Sequence, residues 1–79
     1  MPSREDHAKA NLEQAMHDTK ADFVVAGLER RVEGYVVIFH KGRVEHIESG
    51  IDEAVLEDGP ATGPIRKLLK TVKSALGES

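Results

Sequence analysis

The four histidines are the side chains in this sequence best suited to acid–base or metal chemistry. His7 and His17 are ten residues apart in a segment of helix-forming residues, so they would lie about 280° apart around a helix and share no face. His40 borders a predicted turn, whereas His46 and Glu48 lie on one face of a predicted strand. These last three could hold a metal ion, but no ligand-spacing motif supports such a site. We therefore interpret them as ordinary hairpin side chains and predict no metal site.

The hydroxyl side chains do not have the neighbours that nucleophilic catalysis needs, which are a base and an oxyanion donor. Ser3 suits a helix cap, Ser49 a turn and Ser74 a solvated helix face, and Ser79 ends the chain. A domain of this size also offers little room for a concave substrate pocket. The sequence predicts no catalytic residue, no cofactor and no enzyme activity.

The basic side chains near the end of the sequence are a second group with possible chemistry. Arg66, Lys67, Lys70 and Lys73 lie on the helix face opposite a stripe of leucines. They could be a solvated face of a core helix, part of a helix that binds a partner, or a contact for nucleic acid or an anionic membrane surface. The formal charge of −3 and the pI near 5.7 argue against a general nucleic-acid binder. We keep these four residues as possible nucleic-acid contacts, as the alternative to a protein-binding role.

Two amphipathic helices are predicted, one near each end of the chain. The first runs from Arg4 to about Lys20, with Ser3 and Asp6 resembling a capping box. The second follows Pro64, a good first helical residue, and stops near Gly77. Its apolar stripe has helical spacing and consists of Ile65, Leu68, Leu69, Val72 and Leu76.

A β-hairpin at residues 34–48 is the clearest local signal. Two apolar, β-branched runs flank Lys41-Gly42, where glycine can adopt the positive φ of a tight turn. Residues 35–39 are apolar without interruption, which predicts a central strand buried on both faces. Residues 43–48 carry several charges, as edge strands do.

Three other segments are less decided. Residues 23–32 suit a strand or a continuation of the first helix, and we favour a strand with a bulge or bend at Gly27, entering the hairpin through a turn at Glu33-Gly34. Residues 51–57 suit a short helix or a strand. Residues 58–64 contain two Gly-Pro pairs and predict a loop.

The expected fold class is α+β: an N-terminal helix, a two- or three-stranded antiparallel meander and a C-terminal amphipathic helix, in a single domain over residues 1–79.

Size and composition suggest that the chain needs a partner. It has 79 residues and no cysteine, so a disulfide cannot supplement its small core. No secretory signal or membrane span is visible, which predicts a cytoplasmic protein. We expect a small regulatory or protein–protein interaction module, of the size used by bacterial or phage regulators, and a homodimer. The predicted dimer or partner contacts are the apolar side chains of the central strand and the last helix: Tyr35, Val37, Phe39, Leu68, Leu69, Val72 and Leu76.

Overall fold

The computed structural model describes residues 3–58 and 63–77, and it has the predicted α+β architecture. The elements in chain order are α1 (Arg4–Asp18), β1 (Val24–Arg31), β2 (Gly34–Lys41), β3 (Val44–Ile51), α2 (Glu53–Glu57) and α3 (Gly63–Gly77). Part of the loop predicted at residues 58–64 lies outside the described residues. Within the described ranges, no helix has the length and apolar character needed to cross a membrane.

Helix α1 begins at the predicted capping box. The Ser3 hydroxyl accepts a hydrogen bond from the Asp6 backbone N–H at 3.2 Å, and the Asp6 carboxylate accepts one from the Ser3 N–H at 3.2 Å. The helix ends two residues before the predicted Lys20, because Lys20 adopts a left-handed φ of 55°. The Lys20 N–H bonds to the His17 carbonyl and the Ala21 N–H to the Met16 carbonyl, which is the Schellman arrangement that ends many helices.

The three strands form an antiparallel meander in the order β1-β2-β3, so the strand interpretation of residues 23–32 is confirmed. The predicted bulge is also present, as a register shift between Val25 and Gly27. The turns lie one residue away from their predicted places: residues 32–33 join β1 to β2, and residues 42–43 join β2 to β3. The turns are displaced because Gly34 and Lys41, the two end residues of β2, still pair with the neighbouring strands β1 and β3.

The undecided segment 51–57 divides into two elements. Ile51 is the last residue of β3, and Asp52 caps the short helix α2 through its carboxylate, which accepts from the Ala54 N–H at 3.1 Å. Ile51 and Leu56 are buried, so both parts of the segment contribute to the core.

The hydrophobic core lies between one face of the sheet and the three helices. Tyr35, Val37 and Phe39 of β2 point into it and are fully buried. Phe23 meets Phe39 edge-to-face, with ring centroids 5.6 Å apart. The helices supply the remaining large apolar groups, chiefly Leu12, Met16, Leu56, Ile65, Leu69, Val72 and Leu76. We call this side of the sheet the helix-covered face and the other side the open face.

Candidate functional site

The apolar residues predicted to contact a partner lie inside this chain's own core. Tyr35, Val37 and Phe39 are 0% exposed on the helix-covered face. On α3, Leu69, Val72 and Leu76 are buried. Of the seven predicted contact residues, only Leu68 is partly exposed. A partner could reach the six buried side chains only after the helices moved away from the sheet. Contact between these seven residues and a partner therefore stays a prediction, and the accessible apolar surface of β2 is on its open face.

The open face carries the alternate side chains of the same strand. Val36 and Ile38 are partly exposed there, and Ile38 pairs with Ile47 of β3, which is 54% exposed. Ile38 also lies over Gly27 of β1, and because glycine has no side chain the surface is recessed there. Val24, at the start of β1, adds a further exposed group. The open face thus carries an apolar strip centred on Ile38 and Ile47, with Val36 beside them and Val24 of β1 opposite His40 at one end.

Charged pairs flank this strip at both ends. At one end the Arg31 guanidinium contacts the Glu29 carboxylate at 3.0 Å. At the other end the His40 ring contacts the Glu45 carboxylate at 2.8 Å. The Glu29 carboxylate raises the pKa of Arg31 further above its ordinary value through a hydrogen bond and its charge. Each end of the strip therefore has an acid beside a base.

The histidine set considered for a metal site is divided between the two faces of the sheet. His46 pairs with Phe39 and its ring contacts Glu48 at 2.7 Å on the helix-covered side, whereas His40 faces the open side. In the part of the chain that the structure describes, no three His, Asp or Glu side chains are placed to hold a metal ion. The structure brings His46 and Glu48 together and places His40 on the opposite face of the sheet.

Three of the four predicted basic residues line one cleft. Arg66, Lys70 and Lys73 follow the i, i+4, i+7 spacing of one helical stripe and face the end of α1, where Lys20 forms the opposite wall. Lys67 is not among the lining residues of the cleft. The stripe spacing is visible in the sequence, but the contribution of Lys20 is not, because it depends on how α1 packs against α3.

The floor of this cleft is apolar. Ala21, Phe23 and Leu69 form it, and the cleft has a volume of about 160 Å³. No acidic side chain lines it among the described residues. We call this feature the basic cleft. It combines four cations with an apolar base, a composition suited to an anion that carries some hydrocarbon.

A polar network joins α2 to the sheet on the helix-covered side. The Tyr35 hydroxyl donates to the Glu57 carboxylate at 2.8 Å, and the Asn11 amide donates to the Leu56 carbonyl at 2.9 Å. Nearby, the Arg30 guanidinium contacts Glu53 at 3.2 Å. Every buried polar side-chain atom in the described residues has a hydrogen-bond partner. These bonds hold α2 in place and leave no orphaned group for a reaction.

Tyr35 provides a pH test of this network. Burial of the phenol, together with its hydrogen bond to the negatively charged Glu57, raises the pKa of Tyr35 above its ordinary value. A pKa raised by folding stabilises the protein fully below the unfolded value of about 10 and stops doing so as the pH rises through the folded value. Above pH ~10 we expect the free energy of unfolding to fall about 1.4 kcal/mol per pH unit more steeply than in Tyr35→Phe.

The measurement is simple because Tyr35 is the chain's single tyrosine and there is no tryptophan. Tyrosinate absorbance should appear only as the chain unfolds, and chemical denaturation at several alkaline pH values gives the stability slope. Tyr35→Phe serves as the baseline for lysine titration. Tyrosinate formation near pH 10 in the folded protein would contradict the expectation.

Comparisons with known protein families, with curated proteins and with solved structures found no match to this chain.

Proposed function

We propose that this protein is a small non-catalytic interaction module of the cytoplasm that associates with a second copy of itself through the open face of its sheet. The supporting observation is the uncovered apolar strip of Val24, Val36, Ile38 and Ile47, because all three helices pack on the other face. An antiparallel sheet with one face on the core commonly exposes a polar second face to water. An apolar strip on that face is typical of an interaction surface.

The charges at the ends of the strip favour a second copy as the partner. Each end has one acid beside one base, Glu29 with Arg31 and Glu45 with His40. If two copies pack face to face about a twofold axis, both ends can meet without placing like charges alone against each other. The surface is therefore compatible with itself, whereas a strongly basic or acidic partner would gain little from it.

The area of the open face predicts a weak dimer. Three strands of eight residues cover about 14 by 26 Å at the usual strand spacing and rise, or about 370 Å² per copy. Two such faces bury about 750 Å² in total, which is below the standard size of stable interfaces. We expect a dissociation constant of ~10–100 μM, since interfaces at this end of the size range are generally weak and transient.

Sedimentation equilibrium over a wide concentration range tests this proposal. Ile47→Asp should weaken dimerisation at least tenfold, because it places a charge in the desolvated strip. Ile47 is 54% exposed in the monomer, so the substitution should leave the fold intact. Val32→Asp is the matched control: Val32 is also exposed and β-branched, but it lies in the turn outside the strip.

Two results would overturn the proposal. A wild-type chain that remains monomeric at about 1 mM has no dimer of the expected strength. If Ile47→Asp and Val32→Asp changed the dimerisation constant equally, the interface would not lie on the open face. Circular dichroism of both variants confirms that folding is unchanged.

Nucleic-acid binding by Arg66, Lys67, Lys70 and Lys73 is the second candidate. All four are exposed, and α3 contains no acidic residue within Gly63–Gly77. A local excess of positive charge of this kind attracts phosphate even when the total charge is negative. An oligonucleotide titration at two salt concentrations tests it, since absence of binding at low salt contradicts the idea.

A further inference from the structure

The basic cleft between the end of α1 and α3 has two features that neither proposed function requires, which are Lys20 on the wall opposite the α3 stripe and an apolar floor. Arg66, Lys70 and Lys73 are consecutive members of one helical stripe, and Lys20 faces them from the α1 side. Like charges this close repel one another, which costs stability unless an anion lies between them. Within the described residues, none of these four side chains forms an ion pair with an acid. The cleft therefore holds unneutralised positive charge.

The carbonyls at the end of α1 and the Asp22 carboxylate already have partners. The carbonyls at the end of α1 accept internal bonds: Ala15 from Thr19, Met16 from Ala21 and His17 from Lys20. Asp22, close enough for Lys73 to affect its charge state, contacts the Lys41 ammonium at 3.0 Å. The hydrogen bond from Lys41 lowers the pKa of Asp22, with Lys73 the smallest contributor. Asp22 is thus paired chiefly with Lys41, and its attraction to Lys73 is the weaker one.

Lys20 is held in the cleft wall at a conformational cost. Its φ of 55° is left-handed, and the position it occupies after a helix is usually glycine. A lysine there is less stable than a glycine, so its side chain is not explained by the helix stop. Its charge is presented to the cleft instead.

We propose that the basic cleft binds a small phosphate monoester with a short apolar body. The phosphate lies among Lys20, Arg66, Lys70 and Lys73, where a dianion matches the cations better than a carboxylate does. The hydrocarbon lies on Phe23 and Leu69. The cleft, with a volume of about 160 Å³ and an opening to solvent, has room for a phosphate and a few carbons.

Butyl phosphate titrated into the full-length ¹⁵N-labelled protein at low salt is the test, with amide shifts as the readout. Saturating shifts are expected around residues 19–23 and 66–73. Butyrate and inorganic phosphate should each bind at least fivefold more weakly, because one has less charge and the other has no apolar body. Butanol should not bind measurably.

Two matched lysine variants separate the cleft from general electrostatic attraction. Lys70→Ala should weaken the binding of butyl phosphate about tenfold. Lys67→Ala removes the same type of side chain from the same helix but outside the cleft, so it should change the binding less than twofold. Lys20→Gly should also weaken binding several-fold while raising the melting temperature by about 4 °C, since it relieves the left-handed lysine. That variant excludes loss of folding as the cause.

The remaining outcomes overturn the inference. Equal losses in Lys67→Ala and Lys70→Ala would show diffuse attraction, and if an oligonucleotide bound with the same pattern the surface would be a nucleic-acid face. Butanol binding as tightly as butyl phosphate would show an apolar cleft without anion recognition. Shifts that do not saturate would show no site.

Discussion

Gly34→Ala is expected to destabilise the protein by at least about 3 kcal/mol. Gly34 has a φ of +124°, a region that side-chain-bearing residues almost never adopt. A methyl group added there would overlap the backbone carbonyl of Ile51, which cannot move aside without breaking the end of β3. A domain of this length has a total stability of about 4–12 kcal/mol, so the loss is a large part of it. Urea denaturation followed by circular dichroism measures the change.

Gly42→Ala is the matched control for this prediction. Gly42 also has a positive φ, of 61°, but among the described residues no atom beyond its two chain neighbours lies within 4 Å of the position that its Cβ would occupy. The left-handed conformation alone costs about 1 kcal/mol. If the two substitutions destabilised the protein equally, the close approach of Ile51 to Gly34 would not be the reason.

Phe39→Ala is expected to cost about 3–5 kcal/mol. Phe39 is fully buried at the centre of the helix-covered face, and its ring meets Phe23 edge-to-face. Truncation removes the ring's burial and leaves a cavity that the rigid sheet cannot fill. Because the expected loss approaches the whole stability, the variant is best measured as the shift of a urea midpoint at low temperature, or in a background stabilised by Lys20→Gly.

Ile38→Ala tests the difference between the two faces of the same strand. Ile38 is adjacent to Phe39 in sequence but lies on the open face and is only partly buried. Its truncation should cost about 1–2 kcal/mol, less than the expected Phe39 loss. Similar losses would mean that something covers both faces equally under the conditions of the measurement, and sedimentation at the same protein concentration would identify a dimer as the cause.

The fold was largely accessible from sequence because its signals are local. Pattern and propensity predict three features well because each acts within a few residues: the capping box of Ser3 and Asp6, Gly42 in the β2–β3 turn and the apolar stripe of α3. The sequence of residues 24–31 has a weaker local signal for a strand, because Val24, Leu28 and Val32 also have helical spacing. Pairing with β2 decides it, and pairing is not a local property.

The sequence predicts the candidate surfaces less well than the fold, for a physical reason. An uninterrupted apolar strand does not reveal which of its two faces the chain's own helices cover, so Tyr35, Val37 and Phe39 could not be distinguished from Val36 and Ile38. The basic residues of α3 were visible, but their partner across the cleft was not. Lys20 reaches the cleft only because the helix stop reverses the chain there.

The placement of α3 at the end of the described chain has a consequence for synthesis. A ribosome completes the whole meander before it adds the helix that covers much of it. Until α3 is added, the sheet exposes apolar side chains on both faces, and α1 and α2 cover only part of the helix-covered face. Partly folded species that expose apolar side chains and unpaired strand edges are prone to aggregate, so packing of α3 against the sheet removes surface that would otherwise promote aggregation.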